Sequence, residues 1–254
     1  MSSKRIIIAG GGTGGHIFPA VAVANALKQA DPTIKILFVG AKGKMEMEKV
    51  PAAGYPIRGL DIVGFNRSHW WKNVSLPFKL FKSFLQVRRI FSEFKPHGAF
   101  GVGGYSSYPV LRYAQVIGIP TFLHEANAFA GRSNRMLGKK AVRIFVASEG
   151  MEKFFPVERI AVSGNPVRQD IAENRVNPKE AKASFGLNPD KKTLLVLGGS
   201  QGARSINRAI AQGLDLMAKT GVELLWQTGR NFENDAKHLV KERTWINAKT
   251  FIEE

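Results

Sequence analysis

Residues 4 to 24 read KRIIIAGGGTGGHIFPAVAVA, and the order of apolar run, glycines and alanine-rich run decides the fold. Lys4 to Ala9 has the continuous apolar character of a strand buried on both faces. Pro19 to Gln29 is rich in Ala and Val and reads as a helix packed on a sheet. Between them Gly10 to Gly15 holds five glycines in six positions. Strand, glycine loop and helix in that order bring bare backbone N–H groups to a helix N-terminus, which is how phosphate is held. The same glycines would serve a tight turn. His16, directly after the last glycine, adds an imidazole that can cap the helix or, with an ordinary pKa near 6.5, take a proton from a sugar hydroxyl.

The pattern repeats along the chain. Ile34 to Gly40 and Tyr55 to Leu60 read as strands around a charged helix over Lys44 to Ala53. From Leu76 a helical period places Leu80, Phe84, Val87, Phe91 and Phe94 on one stripe and Lys79, Lys82, Gln86 and Arg89 on another. His97 to Val102 is a strand ending in a second glycine turn, Gly103 and Gly104, followed by Tyr105. Thr121 to His124, Val142 to Ala147 and Ile160 to Ser163 complete a first half. Short connections between alternating strands and helices predict an α/β fold with a doubly wound parallel sheet. A linker with a short helix follows, and the order restarts with a strand at Thr193 to Leu197, the glycine loop GGSQGAR, a helix over Ser205 to Lys219 and a strand at Val222 to Gln227. A further helix and a strand over Ala248 to Ile252 end the chain. Two or three strands are few for such a sheet, so the expectation is a first domain over 1–168 and, over 169–254, a linker and the first part of a second domain about 100 residues longer.

Composition narrows the function. The chain has 254 residues, 44% hydrophobic and 22% charged, as a folded domain does. Without cysteine it has no disulfide, thiolate metal site or cysteine nucleophile. No apolar run reaches the roughly 18 residues of a membrane helix. A formal charge of +17 favours an anionic partner, whether lipid surface, phosphorylated substrate or nucleic acid, but no nucleic-acid module is recognisable. Trp70 and Trp71 precede the basic helix, which can pack on its own sheet or dock on an anionic membrane.

Gly10, Gly12 and Gly15 also fit the G-x-G-x-x-G of dinucleotide enzymes. Such a site expects an acid at the end of the second strand for the ribose hydroxyls, and that strand ends in Val39, Gly40, Ala41 and Lys42. An NADP-dependent oxidoreductase, with Lys42 and Lys44 meeting the ribose phosphate, remains as an alternative, as does a non-catalytic membrane-binding module.

Five stretches, GGGTGGHIFPAVAVA, GVGGYSSYPV, HEANAFAGRSN, GNPVR and LGGSQGARSIN, in this order and spacing, closely resemble the MurG family of peptidoglycan glycosyltransferases. The resemblance implies the GT-B architecture, two Rossmann-like domains facing a cleft. It implies inverting transfer of N-acetylglucosamine from UDP-N-acetylglucosamine to undecaprenyl-pyrophosphoryl-N-acetylmuramoyl-pentapeptide, converting lipid I to lipid II, with no essential metal and no cofactor. The setting it implies is the cytoplasmic face of the bacterial inner membrane. By resemblance, Thr13, Gly14, Gly15, Asn127, Arg168, Ser200 and, in the segment TFIEE, Ile252 contact the donor. His16 is the general base, and Tyr105, His124, Glu125 and Asn134 serve or support the acceptor side. The family continues past residue 254 into further donor contacts, so weak or absent transfer by these 254 residues is expected.

Overall fold

A computed structural model describes residues 3–12, 14–64, 76–167, 176–199 and 202–252. The chain separates into two compact units, Met1–Glu173 and Asn174–Glu254.

The first unit is built on seven parallel strands: β1 (Arg5–Ala9), β2 (Lys35–Ala41), β3 (Ile57–Leu60), β4 (Gly98–Gly101), β5 (Thr121–Glu125), β6 (Arg143–Val146) and β7 (Ile160–Val162), in the order β3-β2-β1-β4-β5-β6-β7. Successive side chains of a strand point to opposite faces, and the core divides accordingly. Ile7, Leu37, Val39, Ala99, Leu123 and Ile144 pack with Val87, Ile90 and Phe91 of α3 (Leu76–Phe94), with Val110, Leu111 and Ala114 of α4 (Ser107–Val116), and with Leu137 of α5 (Arg132–Gly138). Ile8, Ile36, Phe38 and Phe100 pack on the other face with Ile17, Ala20, Val21 and Ala24 of α1 (Gly14–Ala30) and Val50 of α2 (Glu46–Ala52). Helices on both faces are what the near-continuous apolar strands require. The order reverses between β1 and β4, and in sheets of this kind ligands bind outside the strand ends at that point.

The α3 stripe read from the sequence faces the core, with Val87 and Phe91 buried and Leu80 and Phe94 packed against it. A second set, Phe78, Phe81 and Leu85, is exposed. Helix α1 departs from expectation: it begins at Gly14, not Pro19, and carries Pro19 inside. The two glycines add no bulk to the first turn, and Pro19 removes one bond from the second.

The second unit is a parallel sheet of β8 (Thr193–Leu197), β9 (Glu223–Gln227) and β10 (Ile246–Lys249), ordered β10-β9-β8, with helices α6 (Pro178–Ser184), α7 (Arg204–Ala218) and α8 (Glu233–Val240). Its core joins Leu214, Leu224, Trp226 and Ile246. Strand β10 starts two residues before the expected Ala248 and ends before Ile252, because its register is set by Ile246 opposite Leu224 and exposed Phe251 lies beyond the ladder.

Candidate functional site

At the C-terminal ends of β1, β4 and β5 the chain gathers its polar residues. The turns after β1 and β4 touch backbone to backbone. Gly104 has φ +81°, and a Cβ there would overlap the carbonyl oxygen of Gly11. Gly10 donates its N–H to Val39 O at 3.3 Å, and Gly12 donates to Glu46 Oε2 at 3.0 Å. The first loop therefore spends two of its donors on the protein itself. The N–H groups of Gly14 and Gly15 stand in the first turn of α1, where a helix has no carbonyl of its own to offer them.

His16, in that same turn, packs over the second glycine turn. A Cβ on Gly103 would lie 3.0 Å from both Cδ2 and Nε2 of the His16 ring and 3.7 Å from Nδ2 of Asn134, so imidazole and carboxamide meet above Gly103. Burial pushes the His16 pKa below its ordinary 6.5, and His124 pushes the same way, while the carboxylates of Glu125 and Glu46 oppose them. The ring is therefore neutral at neutral pH.

Glu125 closes β5 and is the hub of the following loop. Its Oε1 accepts from the backbone N–H and the Nδ2 of Asn127 at 3.1 and 3.0 Å. Its Oε2 accepts from Gly131 N–H at 3.0 Å and Asn134 Nδ2 at 2.9 Å. A carboxylate with four donors has little capacity left for a substrate proton, so its geometry is that of an organiser. Asn134 also donates to His124 O at 3.3 Å. His124 lies 3.2 Å from Gly164 O through Nε2, and since a carbonyl only accepts, Nε2 carries the proton. Its Nδ1 and the Oδ1 of Asn134 are buried acceptors without a partner among the described residues. Burial also lowers the His124 pKa, against the Gly164 carbonyl and Glu125.

The Tyr105 ring spans the mouth of the first loop, 3.5 Å from where a Cβ on Gly12 would stand and 3.0 Å from one on Gly64. Its hydroxyl is buried without a partner among the described residues, and burial, then Glu46, raises its pKa. The structure thus brings together His16, Tyr105, His124, Glu125, Asn127 and Asn134. Thr13, Arg168 and Ser200, with Trp70 and Trp71, lie outside the described residues.

In the second unit the glycine loop after β8 is fastened by Asn207 of α7. Asn207 donates through Nδ2 to Thr228 O at 2.7 Å and accepts from the indole N–H of Trp226 at 3.0 Å. A Cβ on Gly202 would overlap that same Thr228 oxygen. Beside this knot lies a cavity of about 410 Å³ lined by Arg204, Arg208, Asn231 and Asp235 among others. Ile252 donates its N–H to Gln227 Oε1 at 3.1 Å, so a ligand at this strand end would meet its carbonyl or side chain.

Sequence reasoning missed Glu46, Asn207, Gln227 and Thr228. Glu46 sits in KGKMEMEK, where nothing separates a buried acid from a solvated one. Asn207 closes the motif LGGSQGARSIN, and that position was its signal.

Two parallel sheets, each opening on a strand, a glycine turn and a helix, define the α/β class of the GT-B glycosyltransferases. The chain belongs to glycosyltransferase family 28: the family's N-terminal domain matches residues 6–146 and its C-terminal domain residues 193–254. It is 54% identical over 93% of its length to the UDP-N-acetylglucosamine--N-acetylmuramyl-(pentapeptide) pyrophosphoryl-undecaprenol N-acetylglucosamine transferase of Phocaeicola vulgatus, and covers 63% of that protein. With the transferase of the same name from Cytophaga hutchinsonii it shares 49% identity over 92% of this chain and 63% of the other. Among solved structures, Acinetobacter baumannii MurG superposes with a TM-score of 0.70 at 26% identity, over 99% of this chain and 69% of that one. The UDP-GlcNAc 2-epimerase of Neisseria meningitidis shares the fold, with a TM-score of 0.67 at 16% identity, over 99% of this chain and 73% of that one. The resemblance carried by the five motifs is met by these relatives, of whose length the chain spans about 63%.

The oxidoreductase alternative finds no such support. The Lys42 ammonium is held by Asp61 at 2.8 Å, and Glu46, an acid that reaches the first glycine loop, has both oxygens engaged by backbone N–H groups.

Proposed function

We propose that the chain is the acceptor domain and the opening part of the donor domain of an inverting hexosyltransferase. It moves N-acetylglucosamine from UDP-N-acetylglucosamine to the C4 hydroxyl of the muramoyl sugar in undecaprenyl-pyrophosphoryl-MurNAc-pentapeptide, converting lipid I to lipid II. The observation that carries this reading is His16, a neutral imidazole in the first turn of α1, seated over Gly103 beside Asn134 and within electrostatic reach of two carboxylates.

In this reading the imidazole takes the proton of the C4 hydroxyl as that oxygen attacks the anomeric carbon. The bond from that carbon to the UDP oxygen breaks, and its electron pair leaves with the pyrophosphate. Two charges develop, an imidazolium and the departing phosphate oxygen. Glu125 and Glu46 favour the imidazolium more than the neutral ring, which lowers the barrier rather than merely binding substrate. Helix N-termini and loop N–H groups favour the leaving oxygen in the same way. Thr13, Gly14, Gly15, Asn127 and Arg168 of the first unit and Ser200 and Ile252 of the second remain the proposed donor contacts, with Tyr105, His124, Glu125 and Asn134 serving or supporting the acceptor side. The two arginines beside the second glycine loop suit a diphosphate.

We further propose a peripheral site of action on the cytoplasmic face of the inner membrane. Among the described residues no helix is long and apolar enough to cross a membrane, and the exposed Phe78, Phe81 and Leu85 lie on α3 among Lys79, Arg88 and Arg89.

Titration calorimetry with UDP-N-acetylglucosamine, against UDP-glucose and NADPH, tests the reading. Heat from the first and none from NADPH is expected; NADPH binding without sugar-nucleotide binding would overturn it. A lipid I transfer assay comparing the chain with its His16→Ala variant tests the base, and equal, measurable turnover by both would remove His16 from that role.

A further inference from the structure

Glu46 opens α2 and is 1% exposed. Its Oε2 accepts the N–H of Gly12 and its Oε1 the N–H of Ala41, each at 3.0 Å. Gly12 belongs to the loop after β1 and Ala41 ends β2, so one side chain ties two neighbouring strand ends just beyond their last paired residues, Ala9 and Val39. The chain clears a place for it. A Cβ on Gly40 would stand 2.5 Å from Glu46 Cγ, and one on Gly11 would overlap Oε1. Among the described residues no lysine or arginine shares its charge.

Burying a carboxylate without a cation is costly. Accepting two backbone N–H groups at once explains why an amide would not serve, since glutamine has one acceptor atom and would turn its NH₂ on the second donor. The charge has a further effect. It acts on two side chains of the candidate site, His16 and Tyr105.

We propose that Glu46 is a positioning residue for proton transfer at His16: it clamps the glycine turn to the end of β2 and holds a fixed negative charge within reach of the imidazole as it becomes a cation. This rests on the reading of His16 as the base. Among the described residues, the charged and titratable groups that act on His16 include Glu125 and His124 of β5 and Glu46 of α2, with the neutral Asn134 of α5 against the ring's Gly103 platform. Glu125 is committed to four donors around its own loop, whereas Glu46 is committed to the turn that leads into His16.

The test is an NMR pH titration of the His16 ring in the chain itself and in Glu46→Gln and Glu46→Asp, with the His16 signal assigned from a His16→Gln spectrum. Amide exchange at Gly12 and Ala41 is followed in the same samples. In Glu46→Gln the His16 midpoint is expected to fall, and exchange at Gly12 to quicken by about tenfold or more, the equivalent of one lost hydrogen bond. In Glu46→Asp the charge stays but the reach shortens, so the midpoint stays nearer to that of the unaltered chain while Gly12 exchange still quickens. A folded Glu46→Gln variant with an unmoved His16 midpoint would overturn the proposal, even if exchange quickened, because the residue would then be structural only. Should Glu46→Gln not fold, unprotected Gly12 and Ala41 amides in the unaltered chain, or an aspartate variant that changes neither quantity, would overturn it equally. None of these readouts requires turnover. A failed titration leaves the transferase reading standing, and failed sugar-nucleotide binding leaves the titration interpretable.

Discussion

The carbonyl oxygen of Gly11 stands so close to Gly104 that a Cβ there would overlap it. The two glycine turns at the reversal of the first sheet are thus fitted to each other as closely as backbone allows. Gly104→Ala must push them apart as well as hold a positive φ, and a loss of about 2–4 kcal/mol is expected. Gly118→Ala is the control. Its φ is +76°, but nothing lies within 4 Å of the added methyl, so only the backbone term of about 1–2 kcal/mol applies. Urea denaturation of both variants decides, and equal losses would mean that the contact between the turns contributes nothing.

Glu125→Gln keeps the shape of the side chain and replaces one acceptor oxygen by a donor. Whichever way the amide turns, two of the four donors now at the carboxylate lose their partner. The expected cost is about 1–3 kcal/mol, measured by urea denaturation. Crystallographic or NMR comparison should find the change concentrated in the segment from Asn127 to Asn134.

Acid should weaken the fold in two stages. His16 and His124 have folded-state pKa values below the ordinary 6.5, chiefly through burial. The unfolded chain protonates first, so stability begins to fall as pH drops below 6.5 and continues to fall through the lowered values. Asp61, hydrogen-bonded to Lys42 and Lys82, is held down to about 2 from 3.8. Its contribution is intact above 3.8 and lost as pH falls through about 2. Urea midpoints against pH should show both stages, with His16→Gln shrinking the first and Asp61→Asn shrinking the second, to which Asp31, Glu93 and Glu233, also held below their ordinary values, contribute as well. A single stage near pH 4 would contradict this.

Membrane docking should depend more on aromatic than on cationic side chains of α3. Lys82 is held by Asp61 at 3.1 Å and Arg89 by Glu93 at 2.8 Å, while Phe78 and Phe81 are 72% and 63% exposed. Burying one such ring is worth about 1.5–3 kcal/mol, so Phe81→Ser should weaken sedimentation with anionic vesicles by tenfold or more. Lys82→Ser should do less. Binding that survives both Phe78→Ser and Phe81→Ser would end the membrane assignment for this face.

Much of the architecture was legible because parallel strands read as short apolar runs, several of them closed by glycine as at Gly10, Gly103 and Gly198. The rim of the first site was legible for the same reason: motifs that follow such runs fall at strand ends. What escaped depends on contacts distant in sequence. Pro19 concealed the start of α1, since proline is a signal for a first turn and here it lies in the second. Ile246 was passed over because its pairing with Leu224, not its neighbours, fixes the register. The outward Phe78, Phe81 and Leu85 were masked by an inward stripe of the same period. An acid between lysines reads as a solvated face, and only the empty space left by Gly11 and Gly40 shows why Glu46 turns inward.

The indole of Trp226 is fully buried, and its N–H is bonded to the asparagine that also grips Thr228 beside the second glycine loop. One hydrogen-bond relay therefore connects an intrinsic fluorophore to the turn on which a nucleotide diphosphate would land. A ligand that displaces Thr228 acts on Asn207 through their hydrogen bond, and so on the indole N–H that Asn207 accepts. A change in Trp226 emission on occupancy is the expected consequence, to be read against the three other tryptophans, Trp70, Trp71 and Trp245.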